Sequence, residues 1–321
     1  MQQSDGETAD LSRWPEILDG LVAEAHGLDG ILVAWRKFRY ALRSLHSNGS
    51  TADWQTACSI LRAHPLHALA LEDPFTRHAV VKPRGYPGDA VLLDYVYRLG
   101  AAPRQLREAT PAGRDVNAVT TELSLPVAAR ERCRILARTV DATAHRCRGR
   151  GAEILALAGG HLREASIAHA PAEGGVLRWI SLDQDPLSAD EAARSHAHLP
   201  CIVPICAPVG PLMSRPLLHG RFDLIYSASL FNYLDRETAL AMLAAMLLAL
   251  KPGGQALIAF TSSGLLDAPY FDAVQDWQLD TRDDSSVQDL LDSLPPDEIA
   301  SKRVMHGTNG DLLYGLLTRR G

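Results

Sequence analysis

Two hydrophobic rhythms divide the chain. Up to about residue 145, apolar side chains recur three and four positions apart, as in Ile17, Leu21 and Ala25, in Leu123 and Val127, or in Cys133 and Ala137, a spacing that lines one face of an α-helix. Only a Gly/Asn/Ser loop at 47–51 and a Pro/Gly-rich block at 82–89 interrupt it. Several short helices are therefore predicted there, with almost no strand signal.

Around 147–152 the sequence turns polar and glycine-rich, and short apolar runs begin to alternate with helical patterns. The runs 154–158, 177–182, 201–206 and 222–227 are read as strands, the first ending in Gly159-Gly160 and the second in Asp183. Asp235 caps a helix reaching Leu250, Lys251-Pro252-Gly253-Gly254 is read as a turn, and 255–260 as a fifth strand. Asn309-Gly310 signals a hairpin into an apolar run at 312–317, which suits an antiparallel edge strand. Alternation of this kind predicts a doubly wound α/β domain over 150–321, with ligands at the carboxyl ends of its strands, after a helical region over 1–149.

Bulk composition narrows the function. The 321 residues are 46% hydrophobic and 22% charged, as in ordinary globular chains. The net charge of −6 comes with scattered arginines, which argues against a nucleic-acid partner. Residues 1–10 are polar and acidic, unlike a signal peptide, and the most apolar stretch, 239–250, is too short to span a bilayer, so a cytoplasmic protein with no membrane partner is expected. Cys58, Cys133, Cys147, Cys201 and Cys206 form no C-x-x-C pair and no zinc spacing; buried free thiols and no metal are expected.

Four segments in order carry the candidate chemistry. A buried strand ends in Gly159-Gly160, where backbone amides can approach the polar end of a ligand and a helix is expected to follow. The second strand ends in Asp183, a carboxylate able to accept from both hydroxyls of a ribose, while Asp185 before Pro186 reads as a helix cap. The strand ending in Ser227-Ala228 and the turn 251–254 complete the set. In these segments and in strand order, the chain resembles the class I S-adenosylmethionine (SAM)-dependent methyltransferase family over roughly 150–321. The resemblance implies a Rossmann-like domain with SAM as cofactor. Ala158, Gly159 and Gly160 would line its methionine portion, Asp183 its ribose, and the region around Ala207 its adenine, with Arg163, Gln184, Ser227 and Ala228 among the contacts. Two departures stand out: Ala156, Leu157 and Ala158 fill the place where that family carries an acidic residue, and Gly-x-Gly becomes Gly-Gly-His.

In the helical region, Lys82-Pro83-Arg84-Gly85-Tyr86-Pro87-Gly88-Asp89 reads either as an interdomain turn capped by Asp89 or as a lid. As a lid, Lys82 and Arg84 would clamp a carboxylate and Tyr86 would face a cation. With 158–164, 182–186 and 226–234, this block resembles a narrower methyltransferase subgroup, which includes bacterial enzymes assigned to methyl esterification of 3-hydroxy fatty acids. It also resembles azetidine-2-carboxylate synthases, for which SAM itself is the substrate. Asn232 stands where the subgroup more often has Asp; a neutral amide positions groups but is no base.

The leading expectation is methyl transfer from SAM to a small-molecule carboxylate or amine, with Arg84, Tyr86 and Asn232 as catalytic candidates and Lys82, Asp89, Phe231 and Tyr233 positioning the substrate. The alternative is cyclisation of SAM to azetidine-2-carboxylate with release of methylthioadenosine. That reaction needs a neutral amino group, in keeping with the non-acidic strand end, and Tyr86, Phe231 and Tyr233 would stabilise the sulfonium unless they are plain core. A non-catalytic SAM-binding module is the third reading. His161 is read as a helix-start residue, His196 and His198 as solvated, Asp276-Trp277 as a capping acid with a buried indole, and Arg163 with Glu164 as a pair across the pocket or on a helix surface. Oligomeric state has no signature in the sequence.

Overall fold

The computed structural model describes residues 11–27, 30–213 and 218–321; the polar stretch 1–10 lies outside them. The chain divides into two compact units, one running to Val127 and taking in Leu266–Leu279, the other comprising Ala128–Leu265 and Asp280–Gly321.

The first unit is helical: α1 (Trp14–Ala25), α2 (Gly30–Asn48), α3 (Thr51–Arg62), α4 (Pro65–Ala70), α5 (Pro74–Val81), α6 (Ala90–Tyr97), α7 (Ala102–Glu108) and α8 (Pro111–Thr120). Local chemistry explains where they begin. Ser50 and Asp53 form a reciprocal capping box on α3, Asp89 caps α6, Thr110 caps α8, and prolines occupy the first turns of α4, α5, α7 and α8. Asp73, fully buried, caps α5 through the amides of Phe75 and Thr76 and also accepts from the Thr76 and Thr120 hydroxyls and the Asn117 amide, so one carboxylate ties α5 to α8.

A later helix completes this unit. After α9 (Ser124–Arg146), α10 (Pro186–Ser195), α11 (Val209–Met213) and α12 (Arg236–Ala249), the helix α13 (Ala268–Gln275) packs on α2, α3 and α5. Buried Asp267 at its start accepts from Arg39, Arg43 and the Ser124 amide. At its end, Arg62, His67 and Lys82 donate to the carbonyls of Asp272, Ala273, Val274 and Asp276, which helix geometry leaves unpaired.

The second unit is a seven-stranded sheet in the order β3-β2-β1-β4-β5-β7-β6. Its strands are β1 (Ala152–Leu157), β2 (Val176–Asp183), β3 (Ile202–Cys206), β4 (Phe222–Ser227), β5 (Leu250–Thr261), β6 (Ile299–His306) and β7 (Leu312–Arg319), and α14 (Asp284–Asp292) precedes β6. β1 to β5 are parallel and β7 is antiparallel to both neighbours. The apolar core gathers Leu155, Leu157, Ile225, Ile258 and Phe260 with Leu243, Met246 and Leu247 of α12 and Leu290 and Leu291 of α14.

Several expectations change. The units part at Val127/Ala128 rather than near 150, because α9 past that point bonds to the sheet unit: Arg132 to the Ala228 carbonyl and Asp141 to the amides of His169 and Ala170. The run 312–317 is an interior strand, and β6 forms the edge. β7 is buried along most of its length, whereas β6 exposes Ser301 and Arg303, a composition that protects an open edge. The segment 251–254 opens β5 as an irregularity of register rather than as a separate turn. A side chain at Gly254 would meet the Lys251 and Phe222 carbonyl oxygens at 2.9 Å, so this close approach requires glycine. Cys58, Cys133 and Cys147 are buried free thiols as expected, but Cys201 is half-buried and Cys206 exposed, because β3 is the other edge of the sheet.

At the amino end of β4, Asp223 is held by Arg150, Lys251 and the Glu153 amide. Burial alone would raise its pKa, but these partners bring it down from the ordinary 3.8 to about 2. A depressed carboxylate contributes stability that is complete above the unfolded value and lost as pH falls through the folded one. Asp223→Asn is therefore expected to flatten the acid-unfolding profile of the protein between about pH 4 and pH 2. A profile of unchanged slope in circular dichroism would contradict this assignment.

Candidate functional site

The carboxyl ends of β1, β2 and β4 meet where the strand order reverses, the place where doubly wound sheets form their crevice. β1 runs directly into a backbone with positive φ at Ala158 (51°), Gly160 (56°) and Leu162 (51°). Non-glycine residues in this conformation carry strain of roughly 1–3 kcal/mol each, which must be held by surrounding bonds. Those bonds are visible: the Gly159 amide donates to the Leu182 carbonyl at 3.1 Å and the Gly160 amide to Asp183 Oδ2 at 2.8 Å. Both glycine amides are thus engaged inside the protein, and the glycines serve backbone conformation and close approach instead. A side chain at Gly159 would lie 2.4 Å from the Ser181 hydroxyl.

The helix expected after the glycines is only a 3-10 turn, Arg163–Ser166. Arg163 is buried, donating to Ser195 at 2.8 Å and pairing with Glu191 at 2.9 Å, so it locks the turn to α10 rather than offering its charge to a ligand. His161 is buried as well, and His196 is not solvated: its Nε2 lies 3.3 Å from the His161 carbonyl, and burial lowers its pKa. Glu164, instead of pairing with Arg163, accepts from the Tyr226 hydroxyl at 2.5 Å. Both groups are buried; desolvation pushes the Glu164 carboxyl above the ordinary range.

Asp183 has 9% of its surface exposed. Its Oδ2 accepts from Gly160 and its Oδ1 from the Asp185 amide at 2.9 Å, while Asp185 itself caps α10 through Leu187. A carboxylate offers about four lone-pair positions, so two acceptor sites remain. Next to it, Gln184 is exposed and Ala207 half-buried, with the Ala207 amide donating to the Asp183 carbonyl. At the end of β4 the Ser227 hydroxyl is fully buried and without a hydrogen-bond partner among the described residues, an arrangement native proteins rarely keep without a reason. Ala228 follows, half-buried, its carbonyl taken by Arg132. The sequence offers no signal for Arg132, one arginine in a helix rich in them.

In the loop after β4, Asn232 is engaged on both amide atoms: Nδ2 donates to the Thr261 hydroxyl at 3.0 Å and Oδ1 accepts from the Thr261 amide at 2.9 Å. It braces this loop against β5. Phe231 is core, fully buried and edge-on to Phe260 at 5.8 Å, whereas Tyr233 is about half exposed. In the helical unit, Asp89 is wholly buried as the cap of α6 and partner of His78, so it shapes the loop and is closed to a substrate. Lys82, itself at φ 51°, reaches Asp276. Asp276 is exposed and ends α13, and Trp277 is half-buried against Phe271. Arg84 is half-buried and Tyr86 exposed in the same loop.

A separate cleft of about 1030 Å³ opens at the amino ends of β1 and β2, lined by His145, Arg148, His169 and Leu177 among others. It lies at the end of the sheet opposite the carboxyl-end crevice. Among the described residues no cluster has the makings of a metal site, and no helix is long and apolar enough to cross a membrane.

The strand order, with an antiparallel seventh strand between the fifth and sixth, is that of the Rossmann-like class I SAM-dependent methyltransferase fold, here preceded by helices. No protein-family model matches the chain, and no curated protein does. Among solved structures, a possible exported protein from Bordetella parapertussis is similar over 82% of this chain and 97% of its own, at 16% identity and a TM-score of 0.54, a likeness of fold alone. The N-methyltransferase NodS from Bradyrhizobium japonicum WM9, in complex with S-adenosylhomocysteine, is 14% identical over 62% of this chain and 90% of its own (TM-score 0.43). Magnesium protoporphyrin IX methyltransferase from Synechocystis PCC 6803, with bound SAM, is 11% identical over 61% and 82% (TM-score 0.43).

Proposed function

We propose that this protein is a SAM-dependent enzyme acting on a small molecule, with methyl transfer to a carboxylate or amine as its leading reaction. The observation that carries the reading is Asp183: a nearly buried carboxylate at the carboxyl end of β2, oriented by two backbone amides and keeping two acceptor positions. That is the chemistry a ribose diol requires. The other residues fit the same ligand. The Ser227 hydroxyl has a donor and acceptor to give, and Gln184 and Ala207 flank Asp183 where an adenine would lie.

SAM supplies a carbon made electrophilic by its sulfonium. The protein's residues bind and orient: the tethered Ala158–Gly160 backbone sets one wall, and Asn232 with Thr261 fixes the loop beside it. With both amide atoms engaged, Asn232 is assigned a positioning role, and in-line transfer to an ionised acceptor needs no base. Arg84 and Tyr86 are proposed to orient the acceptor, and exchanging either should lower turnover more than SAM affinity.

A second reading is intramolecular: the amino nitrogen of SAM attacks its own γ-carbon, the carbon–sulfur bond breaks with its electron pair passing to sulfur, and the nitrogen releases a proton to solvent. Glu164 favours it. Burial raises the pKa of this carboxyl, which accepts from the Tyr226 hydroxyl, and so weakens the bias toward ammonium that an exposed carboxylate would exert on that nitrogen. Incubating the purified protein with SAM alone and analysing the small molecules by mass spectrometry separates the readings. Methylthioadenosine with azetidine-2-carboxylate, above spontaneous breakdown, supports cyclisation. S-adenosylhomocysteine formed only on adding acids or amines supports methyl transfer. A protein that neither binds nor consumes SAM overturns both.

A further inference from the structure

The turn after β1 is strained and tied to α10. Ala158, Gly160 and Leu162 all lie at positive φ, and two of the three carry side chains. The end of α10 and the residue after it hold this segment through three contacts. Glu191 and Ser195 take the Arg163 guanidinium at 2.9 and 2.8 Å, and the His196 ring reaches the His161 carbonyl at 3.3 Å.

The third contact has a chemistry the other two lack. His196 is 3% exposed. Because a carbonyl only accepts, the Nε2 facing it carries the ring proton and Nδ1 keeps a lone pair. That Nδ1 is buried without a hydrogen-bond partner among the described residues. A second proton would therefore create a buried N–H with no acceptor and a new charge near the Arg163 guanidinium. The charged and titratable groups about the ring are His161 and Arg163 of the turn, Glu191 of α10 and His198 of the segment that follows it. Glu191 is engaged by Arg163, Arg194 and Ser195. Burial lowers the pKa of His196; the bond to the His161 carbonyl opposes this, and the charges of Arg163 and His198 add to it.

We infer that His196 is an acid-sensitive latch: neutral, it clamps the 158–164 turn to α10, and proton uptake releases that turn and with it one wall of the SAM pocket. The link to SAM rests on the SAM-binding reading above; the latch on the turn does not. The sign follows from the folded ring binding its proton less readily than the unfolded one. The clamp is then at full strength above the unfolded value of about 6.5 and weakens as pH falls below it.

Amide hydrogen exchange of the full chain, corrected for intrinsic rates, reads the opening of the turn directly. The Gly160 and Leu162 amides donate to Asp183 and to the Gly159 carbonyl. Between about pH 7.5 and about pH 5.5, their protection is expected to fall about 5- to 10-fold relative to Ile225 in the middle of the sheet. His196→Gln, whose amide N–H can donate to the same carbonyl but takes up no proton, should show no such fall. An equal fall in both proteins, or none in the parent, overturns the inference. The parent also tests it without a substitution: by NMR its His196 ring should stay neutral through about pH 5.5, and a ring that titrates at about 6.5 or above overturns the latch. S-adenosylhomocysteine at about 100 times its Kd should raise the same protections about 100-fold. A turn that opens in acid as stated, with protection unmoved by that ligand, marks failure of the SAM reading instead.

Discussion

Asp183→Ala is expected to weaken SAM binding by at least about 100-fold, measured by calorimetry or equilibrium dialysis. Two charge-assisted hydrogen bonds to a ribose diol contribute roughly 1.5–3 kcal/mol each, so their joint loss spans that range or more. The substitution also removes the acceptor from the Gly160 and Asp185 amides. The positive-φ turn at Ala158 and Gly160 then loses one of the two bonds that tie it to the end of β2. Asp183→Asn separates the contributions: an amide oxygen can still accept from one backbone N–H, so the turn should be kept while affinity remains low. Unchanged affinity in Asp183→Ala would remove the site from β2 altogether.

The second large effect is structural and belongs to the helical unit. Asp73→Ala is expected to cost about 3–5 kcal/mol, because it strands buried donors on α5 and α8: the Phe75 and Thr76 amides, the Asn117 amide group and two threonine hydroxyls. Burial raises the pKa of this carboxyl, and the donors oppose that rise; the bonds, not bare charge, make the residue valuable. In thermal unfolding followed by circular dichroism, a loss of this size lowers the midpoint by roughly 10 °C or more. A shift of only a degree or two would show that the network contributes little.

Much of the sheet unit was legible in sequence. Short strands punctuated by Gly159-Gly160 and Asp183 announce a parallel sheet, because strand length, turn glycines and terminal acids are local properties. What individual side chains do there was less legible. Phe231, Asn232, Arg163 and Asp89 look equally available in a linear chain, yet one is core, one is braced by Thr261, one is paired with Glu191 and one is a buried cap. His196 reads as polar surface, but its ring packs beneath the His161 carbonyl, a contact 35 residues distant. Each of these outcomes depends on partners brought together across long separations, which no spacing rule contains.

By itself the sequence determined a helical region followed by an α/β one, the strands β1 to β5 and β7, the helix caps at Asp185 and Asp235, and the candidacy of Asp183. Hydrophobic period, capping and turn chemistry act within a few residues and can be read in order. Tertiary structure alone decided that α13 leaves the sheet unit to complete the helical one, that β7 lies inside the sheet with β6 at its edge, and that Arg132 comes to the end of β4. The reason is physical: these placements follow from burial and polar satisfaction summed over the folded unit, where Asp267 neutralises two arginines and an apolar β7 gains by being covered on both edges.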